Sequence, residues 1–368
     1  MASVIRYGSA RLFASDSSNP GTLRSFSLVQ DVNFGFNVPV ESIRSIGSDV
    51  VVKELASPPT VSIQFDYFLS DLENSKRLGI PVESQHSIDE KQSLLNNIQP
   101  IDIALVTDDE TRNIDSFVQG ASSEKMQELK VYVIKNAYLT GFSIKLSPRG
   151  IPVVSVSLEG EDILFKIFKN LSDYTSFVIK EDIEATNQLD LVFSETGIGG
   201  SKIVSTVDSF DFSMSVDYKK LVDFGQFYHK RKVDLPLLST LSISATPNEF
   251  EEGALHDVFC QKNLNKFIIV YSRVGCDGVL KEKFGMVFKD ALLVSQNYTF
   301  STQAVLKTSL SFQIDMHKDK GVFFVQQASG GEGFDLEGGF GGIMLEDEAG
   351  TILLEGAITD MMLSLESV

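Results

Sequence analysis

Alternation of apolar and polar residues at strand spacing, and the recurrence of that alternation at a fixed offset, predict a mainly β chain with one short helix per repeat. The expected architecture is two tandem domains that form β-sandwiches or contribute strands to a barrel, followed by a small C-terminal β appendage. Val32, Phe34, Phe36 and Val38 alternate with Asp31, Asn33, Gly35 and Asn37, the period-2 pattern of a strand with one buried face. Phe210, Phe212, Met214 and Val216 alternate in the same way with Asp211, Ser213, Ser215 and Asp217. The two segments superimpose at an offset of 178 residues, which pairs Val29 with Val207, Phe34 with Phe212, Gly47 with Gly225 and Pro58 with Pro236. Ser62 to Phe65 then matches Thr240 to Ile243 at the same offset.

Further along, the offset falls to 154: Asn136 to Leu139 matches Asp290 to Leu293, and Ser155 to Leu158 matches Ser309 to Phe312. The first repeat therefore carries about 24 extra residues, read as a surface loop in the polar stretch between Gly79 and Lys130. Ile101 to Val106 reads as a strand within it, answered by Phe267 to Tyr271. One helix is expected per repeat: Ser70 or Asp71 capping a segment through Leu72 and Leu78 that stops at Gly79, and Asn248 capping Phe250 to Leu264. The domains are read as 1–165 (with the longer 80–130 insertion), 166–318, and an appendage at 319–368. Strand-like Leu189 to Phe193 opens the second repeat much as Leu12-Phe13 opens the first. The appendage has no basic residue after Lys320 and is Gly-rich from Gly330 to Gly342. Ile343 to Leu345 and Thr351 to Leu354, with Ala349-Gly350 near the turn, predict a hairpin.

A formal charge of −18, from 50 acidic and 32 basic residues, excludes phosphate-backbone binding through a general basic surface. In 368 residues, 43% of them hydrophobic, there is material for a core in each domain. No stretch approaches the roughly 20 apolar residues of a membrane span, and Met1 to Ser18 lacks a signal-peptide apolar run, so a soluble protein made in a cytoplasm is expected. Asn170-Leu171-Ser172 and Asn297-Tyr298-Thr299 match the glycosylation sequon without a secretory signal to support it.

Catalytic constellations are not apparent. His86, His229, His256 and His317 have no Ser, Cys, Asp or Glu at a recognisable catalytic spacing, and Cys260 and Cys276 lack metal-ligand spacing. Gly338, Gly339, Gly341 and Gly342 lie in acidic surroundings with no Walker-type lysine, and the acidic clusters Asp108-Asp109-Glu110 and Glu346-Asp347-Glu348 do not match an EF-hand loop. The expectation is a protein that is not an enzyme and uses no cofactor or metal.

Leu23 to Gly47 (LRSFSLVQDVNFGFNVPVESIRSIG) followed by Pro58 to Tyr67 (PPTVSIQFDY) resembles the opening of tail tube proteins of tailed bacteriophages. Asn136 to Gly160 (NAYLTGFSIKLSPRGIPVVSVSLEG) resembles the closing half of the same domain. The likeness covers about 140 residues of the first repeat; the second has lost Pro39 and the Gly150-Ile151-Pro152 turn and joins only through the internal alignment. The resemblance implies a virion structural protein assembled in the host cytoplasm. Each domain would give strands to a barrel around a lumen through which DNA passes without specific binding. Rings usually contain six such domains, so the repeat implies three chains with pseudo-sixfold symmetry, hexameric rings being the alternative. Stacked rings would form the tube, with other tail proteins at its ends and no membrane involved.

Two sets of residues follow as candidates. On the predicted strands, the face opposite the apolar residues carries Asn33, Asn37, Gln64, Asp66, Ser155 and Ser157 in the first repeat, and Asp211, Ser213, Ser215, Ser242, Ser244, Ser309 and Ser311 in the second. None is basic, which suits a wall that must not hold a polyanion; an ordinary solvent face of an antiparallel sheet is the other reading. For ring stacking, the resemblance points to the loop from Ser48 to Ser57, including Val51, Lys53 and Glu54, and to its equivalent from Gln226 to Leu235. The latter holds the basic cluster His229, Lys230, Arg231 and Lys232, read as meeting an acidic surface of the next ring or, alternatively, as a nucleic-acid patch. Competing assignments are a single-ring tail terminator or baseplate hub, and a carbohydrate-binding tail fibre module. The absence of Trp weighs against the last.

Overall fold

A computed structural model of the chain describes residues 10–16, 19–44, 51–55, 59–84, 98–107, 130–147, 150–167, 176–178, 189–196, 204–221, 230–246, 265–274, 280–301, 304–316, 321–326, 344–346 and 352–354. The first half contains β1 (Ala10–Asp16), β2 (Asn19–Ser25), β3 (Val29–Asn37), β4 (Val40–Arg44), β5 (Val51–Leu55), β6 (Thr60–Phe68) and α1 (Glu73–Arg77). It continues with β7 (Val82–Ser84), β8 (Ile101–Thr107), β9 (Lys130–Leu146), β10 (Val153–Gly160) and β11 (Asp162–Ile167). Next come β12 (Ser176–Val178), β13 (Leu189–Thr196), β14 (Val204–Ser215), β15 (Tyr218–Leu221), β16 (Lys230–Val233) and β17 (Leu237–Thr246). The chain ends with β18 (Asn265–Val274), β19 (Leu280–Ser301), β20 (Ala304–Met316), β21 (Gly321–Gln326), β22 (Met344–Glu346) and β23 (Ile352–Leu354). The molecule is mainly β, as the alternation predicts, and the C-terminal hairpin forms with Leu345 opposite Leu353.

Eight antiparallel strands run side by side in the order β3, β6, β10, β9, β14, β17, β20, β19. Their alternation sorts residues onto two faces. Val61, Ile63, Phe65 and Tyr67 of β6, Phe210, Phe212 and Met214 of β14, and Leu241 and Ile243 of β17 are all buried on one face. A second layer covers that face. In the first half β1, β2, β8 and β11 gather around the N-terminal part of β9. β9 serves both layers by turning at Asn136, which has a positive φ of 49°, a conformation that Asn tolerates better than most residues.

The two halves share one pairing plan, including its irregularities. The β3–β6 ladder slips between Val29 and Asp31, and β14–β17 slips at the equivalent Val207 and Ser209. The β9–β10 ladder slips between Leu139 and Gly141, and β19–β20 between Leu293 and Ser295. β8–β9 slips between Ile101 and Ile103, and β18–β19 between Asn265 and Phe267. A bulge breaks the ladder at one chosen residue, so three bulges at matched positions tie the halves together more closely than alternation alone. The matched β8 and β18 also divide the extra length of the first half. Ile63, Ile103 and Ile134 answer to Leu241, Phe267 and Phe288, at offsets of 178, 164 and 154, so the excess lies on both sides of β8.

α1 begins after Asp71, whose Oδ1 accepts a hydrogen bond from the Glu73 N–H at 3.0 Å, and stops at Gly79 with φ 76°. The residue at the N-cap position is Leu72, so Asp71 acts through a turn just ahead of the helix. The second predicted helix, from Asn248 to Leu264, lies outside the described residues. Asn74 fixes α1 to the strands: its Oδ1 accepts from the Ser27 N–H at 3.1 Å and its Nδ2 donates to the Ser27 carbonyl at 2.9 Å, with both residues buried. Asn74→Ala is expected to lower stability by about 2 kcal/mol in a urea titration, because two buried backbone groups lose their partner.

Candidate functional site

The face opposite the core is a mostly polar surface made by all eight strands, on which Leu238 of β17, opposite Asp315, and Leu292 of β19, opposite Gln313, stand as exposed apolar residues. Asp31, Asp66, Ser155, Ser143, Ser213, Thr240 and Gln313 stand opposite one another, strand by strand, from β3 to β20. A parallel row runs through Asn33, Gln64, Ser157, Gly141 and Ser215. Others join Lys145, Asp211, Ser242, Ser311 and Ser295, and Ser244, Ser309 and Asn297; Asn37 lies opposite Thr60. Every residue named from the sequence for this face is therefore brought onto one surface.

Sequence reasoning missed the contribution of β9. Ser143 and Lys145 alternate with the buried Phe142, Ile144 and Leu146, and that pattern alone identifies them. Lys145 qualifies the expectation of a face without cations. Its Nζ lies 3.5 Å from Asp211 Oδ2, and among the described side chains of this face it is opposed by Asp31, Asp66, Glu159, Asp211 and Asp315. Small hydroxyls dominate elsewhere; Ser213 Oγ and Thr240 Oγ1 are 2.8 Å apart.

The segments read as stacking loops are β-hairpins over much of their length. β4 pairs with β5, placing Ser42 opposite Lys53 and Glu41 opposite Glu54, and β15 pairs with β16, placing Lys220 opposite Arg231 and Lys219 opposite Lys232. The β-branched pair Val51-Val52 favours strand pairing there over an open loop. His229 lies outside the described residues, and Val51 and Lys230 sit at hairpin register positions opposite Arg44 and Leu221.

Arg231 does not point away from the chain. Its side chain is 5% exposed and reaches Glu159 of the first half, Nη2 to Oε1, at 2.9 Å. Nη1 donates to the Glu159 carbonyl at 3.3 Å, and the guanidinium lies 4.9 Å from the centroid of the Tyr138 ring. Lys220 Nζ also meets Glu159 Oε1 at 2.9 Å. Tyr138 and Tyr218 contact edge to face at 5.4 Å, and the Tyr218 hydroxyl donates to the Leu139 carbonyl at 2.9 Å. Burial pushes the Tyr218 phenol well above its ordinary range, an effect that Arg231 opposes. These contacts clamp the join where β14 pairs with β9, from Phe210 opposite Leu146 to Ser215 opposite Gly141. A cavity of about 410 Å³ opens beside the clamp, with Gln64, Ser157, Asp217 and Lys220 on its wall.

The arrangement defines a two-faced antiparallel sheet protein whose halves are joined by strand pairing. No family model and no curated protein matches the chain. Among solved structures it is similar to one titled "Crystal structure of Hcp protein", at a TM-score of 0.23 and 11% identity, over 37% of this chain and 98% of that one. Among the described residues no group of three or more His, Cys, Asp or Glu is placed to hold a metal ion, and no helix is long and apolar enough to cross a membrane.

Proposed function

We propose that the chain is a structural subunit of a bacteriophage tail tube, a tandem duplication of which three copies close a ring and rings stack around a lumen that conducts DNA. It works without catalysis, in the virion, after assembly in the host cytoplasm. The observation that carries this reading is the mostly polar face: hydroxyl, amide and acidic side chains in rows that run from strand to strand, with Lys145 3.5 Å from Asp211. Such a wall repels a polyanion and offers it few donors to grip. The eight strands supplied by one chain would form one third of the wall, and closing the sheet on itself removes its two open edges.

Negative-stain microscopy of the purified protein tests this directly: hollow tubes or stacked rings are expected. A single closed ring would instead assign the chain to a tail terminator or baseplate hub, and a persistent monomer would overturn both assignments. The lumen assignment has its own test. Ser155→Arg together with Ser213→Arg adds two cations per chain to the middle of the face, so assembled tubes should retain short duplex DNA at low salt and release it as salt rises. Wild-type tubes should not retain it. Equal behaviour of the two proteins would remove the lumen from this face.

A further inference from the structure

The join between the two halves is a template for a second join that the described strands of one chain do not make. β14 has β9 on one side and β17 on the other, whereas the equivalent β3 has only β6 among the described strands. β9 has both β10 and β14 beside its C-terminal part, whereas among the described strands the equivalent part of β19 has only β20. The two open edges are thus the two halves of the one join that is missing.

Their chemistry agrees. Phe36, Val38 and Val40 are 41–52% exposed at the β3 edge, while Met214 and Val216, the equivalents of the first two, are 3% and 2% exposed at the internal join. At the other edge Leu292 and Val294 are 56% and 59% exposed, and their equivalents Tyr138 and Thr140 lie within the clamp, where the Thr140 carbonyl accepts a hydrogen bond from Val216 N–H at 2.8 Å. Phe165 of β11 is exposed in the row Phe34, Tyr132, Phe165; its equivalent Phe324 is buried beneath Phe142, edge to face at 5.9 Å. Large apolar side chains left open at matched edges are expected where a partner covers them.

We infer that β19 of one chain pairs antiparallel with β3 of the next, in the register of β9 with β14 and through an apolar seam that replaces the ionic clamp. This rests on the ring-forming reading and specifies its joint. Carried over, that register sets Asn33 opposite Thr299, Phe34 opposite Tyr298 and Phe36 opposite Gln296. Gln296 takes the place of Phe142, and its Oε1 is buried without a hydrogen-bond partner. Where the internal join has Tyr218, Arg231 and Glu159, the seam has Val40, Lys53 and Gln313, and the carboxylate is gone. Ring closure is therefore expected to survive high salt.

The test uses the full chain with Cys260 and Cys276 changed to Ser. Directly opposed residues across an antiparallel pair come within about 5.5 Å, inside the reach of a disulfide. Asn33→Cys with Thr299→Cys should oxidise to a covalent ladder ending at the trimer, equally in low and high salt. Asn33→Cys with Ser295→Cys, four residues away along the strand, should not. Val294→Lys should leave a folded monomer, since the side chain is solvated before assembly, and abolish rings. Rings seen by microscopy without the first cross-link, or with the second, would overturn the seam while leaving the ring reading in place. Folded monomers without either cross-link would overturn both.

Discussion

Phe212→Ala is expected to remove about 4 kcal/mol of stability from the unassembled chain, whereas Phe34→Ala, the same change at the equivalent position, should remove about 1–2 kcal/mol. Phe212 is fully buried and contacts Phe288 edge to face at 5.7 Å. Its loss leaves a cavity in a sheet bounded by neighbours on both sides. Phe34 is only partly buried, against Tyr132 at 5.5 Å, with one flank open. Urea titration of the unassembled protein should show the difference as two separated midpoints with similar slopes. In assembled material the order should change: Phe34→Ala should then weaken ring formation strongly, because the proposed seam would bury Phe34 as the internal join buries Phe212. Equal loss of stability at the two sites in the free chain would mean that β3 is already covered.

Glu159→Ala should cost about 2 kcal/mol of stability. Removing one partner of a fully buried ion pair typically costs 3–5 kcal/mol; Glu159 is 29% exposed, which lowers the figure. What remains is a guanidinium held among Tyr138 and Tyr218 with no carboxylate. The damage should be local. Exchange of the Val216 amide, which donates to the Thr140 carbonyl across the join, should accelerate, while amides in the middle of β6 and β10 should not. Replacing Arg231 by Met in the same chain should recover much of the loss, since no buried charge is then left unpaired. If exchange quickens everywhere, the clamp is part of the global core instead of a local fastening.

Much of the architecture was legible because a half-buried strand announces its faces residue by residue. The alternation at Val32 to Val38 and at Phe210 to Val216 placed both strands, and constant offsets matched them. The polar face followed from the same parity, which is why all its predicted members share one surface. What parity does not contain is which strand lies beside which. The partner of β14 on its outer side is β9, a strand of the other half, and no local pattern distinguishes that neighbour from another. The fate of Arg231 was hidden for the same reason. A run of cations in an acidic chain looks like an external docking patch until the fold delivers Glu159 and Tyr138 to it. The segments 48–57 and 226–235 were expected as connecting loops from the family resemblance, and the pairing of β5 with β4 and of β16 with β15 depends on partner strands outside those segments.

The β9–β14 pairing has a consequence for how assembly responds to dilution. A contact between two segments of one chain forms at an effective concentration set by the connecting polypeptide, on the order of millimolar for a short flexible link, whatever the amount of protein present. A contact between chains has no such reserve and opens when the protein falls below its dissociation constant. In the proposed ring alternate joints would therefore differ in kind: on dilution the seams would part while the internal joins persist, and the smallest species released would be a pair of fused half-sites with one donor edge and one acceptor edge still intact.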